Sequence, residues 1–144
     1  MLRANAIHTF AGIQLRLECA RLMEEQGYPE PTGMAKVTSA FNLPSKRIIH
    51  TVGPIARGKA SDLDRALLAN CYTACLDAAL EAGCESIALC CISTGVFGFP
   101  QDEAAHIAVA TVDEWLDGYD NALDVVFNVC GETDERLYKA LLGC

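Results

Sequence analysis

The stretch from Glu85 to Glu103 constrains this chain more than any other. It runs from an apolar segment, Ile87 to Ile92, through a turn with two glycines, Ser93-Thr94-Gly95-Val96-Phe97-Gly98, into Phe99-Pro100-Gln101-Asp102-Glu103. A short, almost wholly apolar run of this kind is expected in a sheet whose two faces are both covered by helices. Pro100 suits a first helical position, and Asp102 and Glu103 place acid in the first turn of the helix that follows. A glycine-containing strand-to-helix turn can aim several backbone N–H groups at one point, which makes an anion cradle. The competing reading is an ordinary βα turn whose glycines only satisfy its geometry.

The rest of the chain supplies a scaffold of the same kind. Ala4 to Gln26 reads as one helix with Ile7, Phe10, Ala11, Leu15, Ala20 and Leu22 on a buried face, stopped by Gly27. Ala35 to Phe41 reads as a strand with Ala35, Val37, Ser39 and Phe41 on its better-buried side, and Arg47 to Val52 as a second, closed by Gly53-Pro54. Ser61 is an N-cap for a long helix carrying Leu63, Leu67, Cys71, Cys75 and Ala78 at helical spacing, ended by Gly83. After Pro100 a helix buries Ala104, Ile107, Ala108, Val112, Trp115 and Leu116; then come a strand, Leu123 to Val129, and a helix, Glu132 to Leu142. Strands alternating with helices predict an α/β/α sandwich. At 144 residues, 51% hydrophobic and 21% charged, residues 1–144 are expected to form one domain.

Charge narrows the partners. A net charge of −8 and a pI near 4.7 disfavour tracking a nucleic-acid backbone, which requires clustered Lys and Arg. With no apolar run long enough to cross a bilayer and no basic-then-apolar leader, the expectation is a cytoplasmic protein without membrane contact. The eight cysteines are expected to serve mostly as small buried hydrophobes.

Candidates for chemistry are few. His50 lies in an apolar strand and reads as a hydrogen-bonded core histidine, while His8 and His106 have no Cys or carboxylate at ligand spacing. Cys71 and Cys75 share a helical face, and Cys90 and Cys91 point to opposite sides of a strand, so no metal is expected among them. Asp62, Asp64, Asp102 and Glu103 are explained as first-turn helix acids. No Gly-x-Ser-x-Gly elbow is present. These residues give a cradle without a catalyst.

Ile92-Ser93-Thr94-Gly95-Val96-Phe97-Gly98-Phe99-Pro100 resembles the phosphate-binding loop of the macrodomain family, whose members bind ADP-ribose. Further matches follow the family's order: Asn5-Ala6-Ile7-His8 with Ala11-Gly12, Thr32 to Thr38, and Asn42-Leu43-Pro44 leading into Ile48 to Pro54. His8 to Cys19 resembles the zinc-dependent bacterial branch, which removes ADP-ribose from modified proteins. The resemblance implies a three-layer α/β/α macrodomain-like sandwich with a mixed sheet. It also implies a ligand set of Ser93, Thr94, Gly95, Val96, Phe97, Gly98, Asn5 and Ile7, with the loop's N–H groups on the diphosphate and Phe97 beside the distal ribose. Asn128 to Cys130 would border an adenine site. Val96 stands where the branch commonly has an acidic residue.

The same resemblance implies segments that this chain does not carry. Family members begin with two strands, bearing an acidic residue that reads adenine, and a loop that in the zinc branch holds a Cys, His, Cys set. The position of the last Cys is Leu2 and that of an adjoining Asp is Ala4, so the expectation is a chain incomplete at its amino terminus, with no catalytic residue and no zinc of that kind. One missing strand would lie between Arg47–Val52 and Ser86–Ile92, and each buried unpaired backbone group left behind costs about 1–3 kcal/mol. The two halves are therefore expected to close up and pair, or two copies to pair through this edge. Three functions follow: an ADP-ribose-binding macrodomain related to the hydrolases, a non-catalytic reader of ADP-ribosylated protein, or a packed fragment that binds little.

Overall fold

The computed structural model describes residues 3–144, with side chains from Asn5 onward, so Leu2 and the side chain of Ala4 lie outside the described residues. In chain order the elements are α1 (Arg3–Ala11), α2 (Ile13–Gln26), β1 (Ala35–Ser39), β2 (Arg47–Thr51), α3 (Asp62–Glu81), β3 (Ser86–Cys90), α4 (Gln101–Gly118), β4 (Asp124–Asn128) and α5 (Glu132–Leu142). Helices and strands thus alternate in an α/β arrangement.

Helix α3 is the element on which the others converge. Its start is a capping box: the Asp64 N–H donates to Ser61 Oγ at 3.1 Å, and the Ser61 N–H donates to Asp64 Oδ2 at 2.8 Å. Two of the helix's orphan donors are thus satisfied reciprocally. Its buried face is Leu68, Cys71, Tyr72, Cys75, Leu76 and Ala79. It shares Cys71 and Cys75 with the face the spacing indicated, but Leu67 and Ala78 are only half-buried and Leu63 is 67% exposed in the first turn. Helix α4 meets α3 with a face of small residues, Ala104, Ala105 and Ala108, continued by Val109, Val112 and Trp115. Trp115 Nε1 donates to Asp77 Oδ1 at 2.8 Å, which satisfies the indole where it is buried.

The strands form two separate ribbons rather than one continuous mixed sheet. β1 and β2 are antiparallel, with Val37 opposite Ile49, and β3 and β4 are parallel, with Ala88 opposite Val126. Among the described residues β2 and β3 do not pair, so the expected closure is not the solution this chain adopts. The ribbons are joined instead through α3 and through the loops that follow β2 and β3. Nor is β3 covered on both faces: Leu89 is buried while Ala88 and Cys90 are exposed, and Val126 on β4 is 57% exposed. On β1 the buried positions are Thr38 and, just beyond the strand, Ala40, the side opposite to that expected. Ala40 and Ile48 pack with Ala11 and Leu15, while Ala35 and Ile49 pack against the α3 core. The β1–β2 ribbon therefore has apolar partners on both faces, and simple alternation could not tell which side was better covered.

The expected first helix is two. Gly12, at φ 93°, breaks it, and a Cβ there would lie 2.7 Å from Asn42 Nδ2. The break re-aims the chain so that Ala11 and Leu15 are buried while Phe10 is 70% exposed and Ile7 and Ala20 lie at the surface. Gly27 does end α2, in a left-handed conformation at φ 77°. Pro100 is the N-cap of α4 rather than its first helical residue. No helix among the described residues is long and apolar enough to cross a membrane.

Candidate functional site

Two neighbouring residues of α3 hold the starts of two loops. The Cys71 thiol donates to the Val52 carbonyl at 3.4 Å, where the chain leaves β2. The Tyr72 hydroxyl donates to the Cys90 carbonyl and accepts the Ile92 N–H, each at 3.3 Å, where it leaves β3. From these anchors loop 52–60 and loop 91–100 lie against each other. The Ala56 and Arg57 N–H groups donate to the Phe97 carbonyl at 2.9 and 3.0 Å, and the Gly58 N–H donates to the Gly98 carbonyl at 2.7 Å. Gly53 approaches so closely that a Cβ would overlap Ser93 Oγ.

Within loop 91–100, the Gly98 N–H closes a turn onto the Gly95 carbonyl and the Phe99 N–H returns to the Ser93 carbonyl, both at 3.0 Å. Phe99 is buried and seats the far end of the turn in the core. Ser93 takes a left-handed backbone at φ 63°, an unusual state for a residue with a Cβ. Its Oγ is buried without a hydrogen-bond partner. Among the described residues, no carbonyl or side chain accepts from the N–H groups of Thr94, Gly95, Val96 or Phe97. Gly95 and Val96 face solvent, Val96 at 78% exposure. Unpaired amides at the carboxyl end of a strand, just before a helix, suit an anion.

The surroundings agree electrostatically. Loops 52–60 and 91–100 contain no acidic residue, and Arg57 and Lys59 are exposed on the first of them. Glu103, in the first turn of α4, is paired with Arg65 at 2.9 Å, and the same guanidinium holds Asp62 at 2.8 Å. Arg57, Lys59 and Gly53 were not singled out as site residues from the sequence. The signal for them was the Gly53-Pro54 and Gly58 punctuation of a loop whose spatial neighbour no local pattern reveals.

The other expected residues fall elsewhere. Asn5 and Ile7 are exposed on α1, and among the described residues no backbone hydrogen bond joins them to loop 91–100. Asn128 pairs in register with Cys90, which places the end of β4 beside the start of the loop. Cys71 and Cys75 are buried in the core and Cys19, Cys84 and Cys91 pack half-buried against the apolar clusters, so packing explains most of the cysteines, while Cys90, Cys130 and Cys144 are exposed.

A second constellation was invisible to spacing. His8 of α1, Cys19 of α2 and His50 of β2 bring ligand-type atoms to within 4.8 Å of one another. His50 Nε2 lies 2.9 Å from Thr38 Oγ1. Burial, with the adjacent His8, lowers the His50 pKa against an opposing pull from Glu18, so the ring favours its neutral form. Burial and Glu18 push the Cys19 thiol up.

Main-chain donors of this kind on an α/β scaffold suit an anion. A profile of the Macro domain family matches residues 4–108, and the chain belongs to that family. It is 59% identical over 139 residues to a protein-ADP-ribose hydrolase of Treponema medium, covering 96% of this chain and 53% of that protein. It is 54% identical over 136 residues to a protein-ADP-ribose hydrolase of Staphylococcus aureus, covering 94% and 51%. The chain thus spans about half the length of the curated relatives it matches. Among solved structures, an Oceanobacillus iheyensis macrodomain with ADP superposes with a TM-score of 0.89 at 40% identity, covering 96% of this chain and 73% of that one.

Proposed function

We propose that this chain binds ADP-ribose, free or attached to protein, with the diphosphate on the N–H groups of residues 94–97. The observation that carries the reading is that run of amides without acceptors beside the buried, partnerless Ser93 hydroxyl. Such a cradle lets a chain of net charge −8 hold one small dianion, because the favourable field is local while the overall charge repels a polynucleotide. Binding of this kind uses main-chain donors and needs no metal. Ser93, Thr94, Gly95, Val96, Phe97 and Gly98 form the proposed contact set. Asn5 and Ile7 complete it through the resemblance of Asn5-Ala6-Ile7-His8. A cytoplasmic location belongs to the same reading.

Calorimetry with ADP-ribose tests it, with AMP and ribose 5-phosphate as controls. A saturable one-to-one heat with ADP-ribose, matched by a rise in melting temperature, is expected. Neither heat nor shift at millimolar ligand would overturn it.

A second reading, hydrolysis of the bond between ADP-ribose and a protein side chain by water attack at the distal ribose carbon, is favoured by the relatives named protein-ADP-ribose hydrolase. Loops 52–60 and 91–100 contain no carboxylate to activate that water, so binding is placed first. Incubation with an ADP-ribosylated protein decides the order: release above buffer supports hydrolysis, and none leaves a reader. Two-stranded ribbons with open edges also favour pairing of two copies, and a monomer by light scattering would remove that part of the reading.

A further inference from the structure

We propose that His8, Cys19 and His50 form a site for a thiophilic divalent cation, zinc by preference, with one coordination position left open.

The three donors come from three different elements, so their meeting is a product of the fold and not of one helix face. Two imidazoles and one thiol are the donor set that borderline-soft ions prefer over calcium or magnesium. All three side chains are half-buried, which shields the charge of a bound ion without sealing it from entry. The second observation is His8 Nδ1, buried and without a hydrogen-bond partner. A buried ring nitrogen with nothing to bond is costly unless a ligand takes it. Thr38 Oγ1, 2.9 Å from His50 Nε2, is the kind of contact that orients a ligating ring.

The present separations, up to 4.8 Å, exceed the roughly 3.3–3.7 Å between donors in a tetrahedral zinc site. Contraction by about 1 Å, within reach of side-chain rotation, would bring them to bonding distance. On binding, Cys19 releases its thiol proton to solvent and coordinates as thiolate. Cys19 and His50 also line a cavity of about 170 Å³ together with Glu30 and Lys36, large enough for a bound water. Glu30 Oε2 and Lys36 Nζ are 3.4 Å apart in a lining that is otherwise mostly apolar. His8, Cys19 and His50 all lie outside loop 91–100, so metal binding is tested without ADP-ribose present.

Cobalt(II) is the probe. The full chain, stripped with EDTA, is titrated and followed by absorption. One equivalent is expected to produce the near-ultraviolet thiolate-to-metal band together with the intense visible bands of four-coordinate cobalt, and zinc is expected to displace both. Cys19→Ser should abolish the near-ultraviolet band, and His8→Gln should weaken cobalt binding at least about tenfold while leaving the circular dichroism unchanged. Cys90→Ser, which removes an exposed thiol outside the cluster, should leave the spectrum as it was. Absence of the bands at stoichiometric cobalt, or their survival in both Cys19→Ser and His8→Gln, would overturn the assignment.

Discussion

Gly53 and Ser93 sit back to back where the two ribbons meet, with no room for even one methyl group between them: a Cβ on Gly53 would overlap the Ser93 hydroxyl and lie 2.6 Å from Ile92 Cγ2. Gly53 is needed for space rather than for an unusual backbone. Gly53→Ala should therefore destabilise the chain by about 1–3 kcal/mol, the range for overpacking a filled site. It should also displace loop 91–100, so that ADP-ribose binding falls with the melting temperature. Thermal melts and calorimetry on one sample check both effects, and an unchanged melt would show that the approach is slack.

Gly98 and Gly95 lie in the same loop and should behave oppositely. Gly98 has φ 65°, and a Cβ there would come within 3.0 Å of the Gly58 N and 3.2 Å of Arg57 Cα, both backbone atoms that cannot swing aside. Gly98→Ala is expected to cost about 1–2 kcal/mol from the left-handed conformation alone. A Cβ on Gly95 would meet nothing within 4 Å, so Gly95→Ala should shift stability by less than about 0.5 kcal/mol. If phosphate oxygens approach the Gly95 backbone, that same substitution should weaken ADP-ribose at least several-fold. Equal affinity in a stable Gly95→Ala chain would move the diphosphate elsewhere.

Tyr72 joins α3 to the start of loop 91–100 through one hydroxyl that both donates and accepts. Tyr72→Phe keeps the buried ring but leaves the Ile92 N–H and the Cys90 carbonyl without that partner, at a cost of about 1–3 kcal/mol. The expected result is a melting temperature lower by several degrees and faster amide exchange at Ile92. Unchanged exchange there would mean that the hydroxyl does not hold the strand end. Burial keeps the Tyr72 pKa well above its ordinary value, so this anchor should not titrate across the neutral range.

The cysteines should separate by reactivity. Burial, with the nearby Cys71 and Cys90, pushes the Cys75 thiol up to about 12, and burial also raises Cys71. The thiolate is the reactive form. Iodoacetamide labelling of the native chain, read by peptide mass spectrometry, should mark Cys90, Cys130 and Cys144 first. Cys71 and Cys75 should react only on unfolding. Early labelling of Cys75 would contradict the packing of α3.

Much of the scaffold was legible in the sequence because turns and caps are local. Ser61 with Asp64 announced the start of α3, Gly27 the end of α2, and the run from Ile87 through Gly98 to Pro100 the strand, loop and helix start that carry the candidate site. Periodicity was less reliable about direction. It gave α3 a face through Leu63, Leu67, Cys71, Cys75 and Ala78, of which Cys71 and Cys75 are buried beside Leu68 and Tyr72 while Leu63 is exposed, since an apolar residue at a helix start can face solvent when no neighbouring element reaches that far. Gly12 was read within a helix because the side chain that crowds it, Asn42, belongs to a distant loop.

The sequence by itself determined the loop Ser93–Gly98: glycine placement, the preceding apolar strand and the following helix are neighbours along the chain, and their geometry follows from backbone sterics within a few residues. Only the tertiary structure decided what that loop rests on, because the Gly53–Ser93 approach and the bonds from residues 56–58 to Phe97 and Gly98 join segments about forty residues apart. The meeting of His8, Cys19 and His50 has the same origin. No spacing rule encodes such encounters, since they arise when two ribbons and five helices pack together, and side chains meet wherever burial of apolar surface brings their elements together.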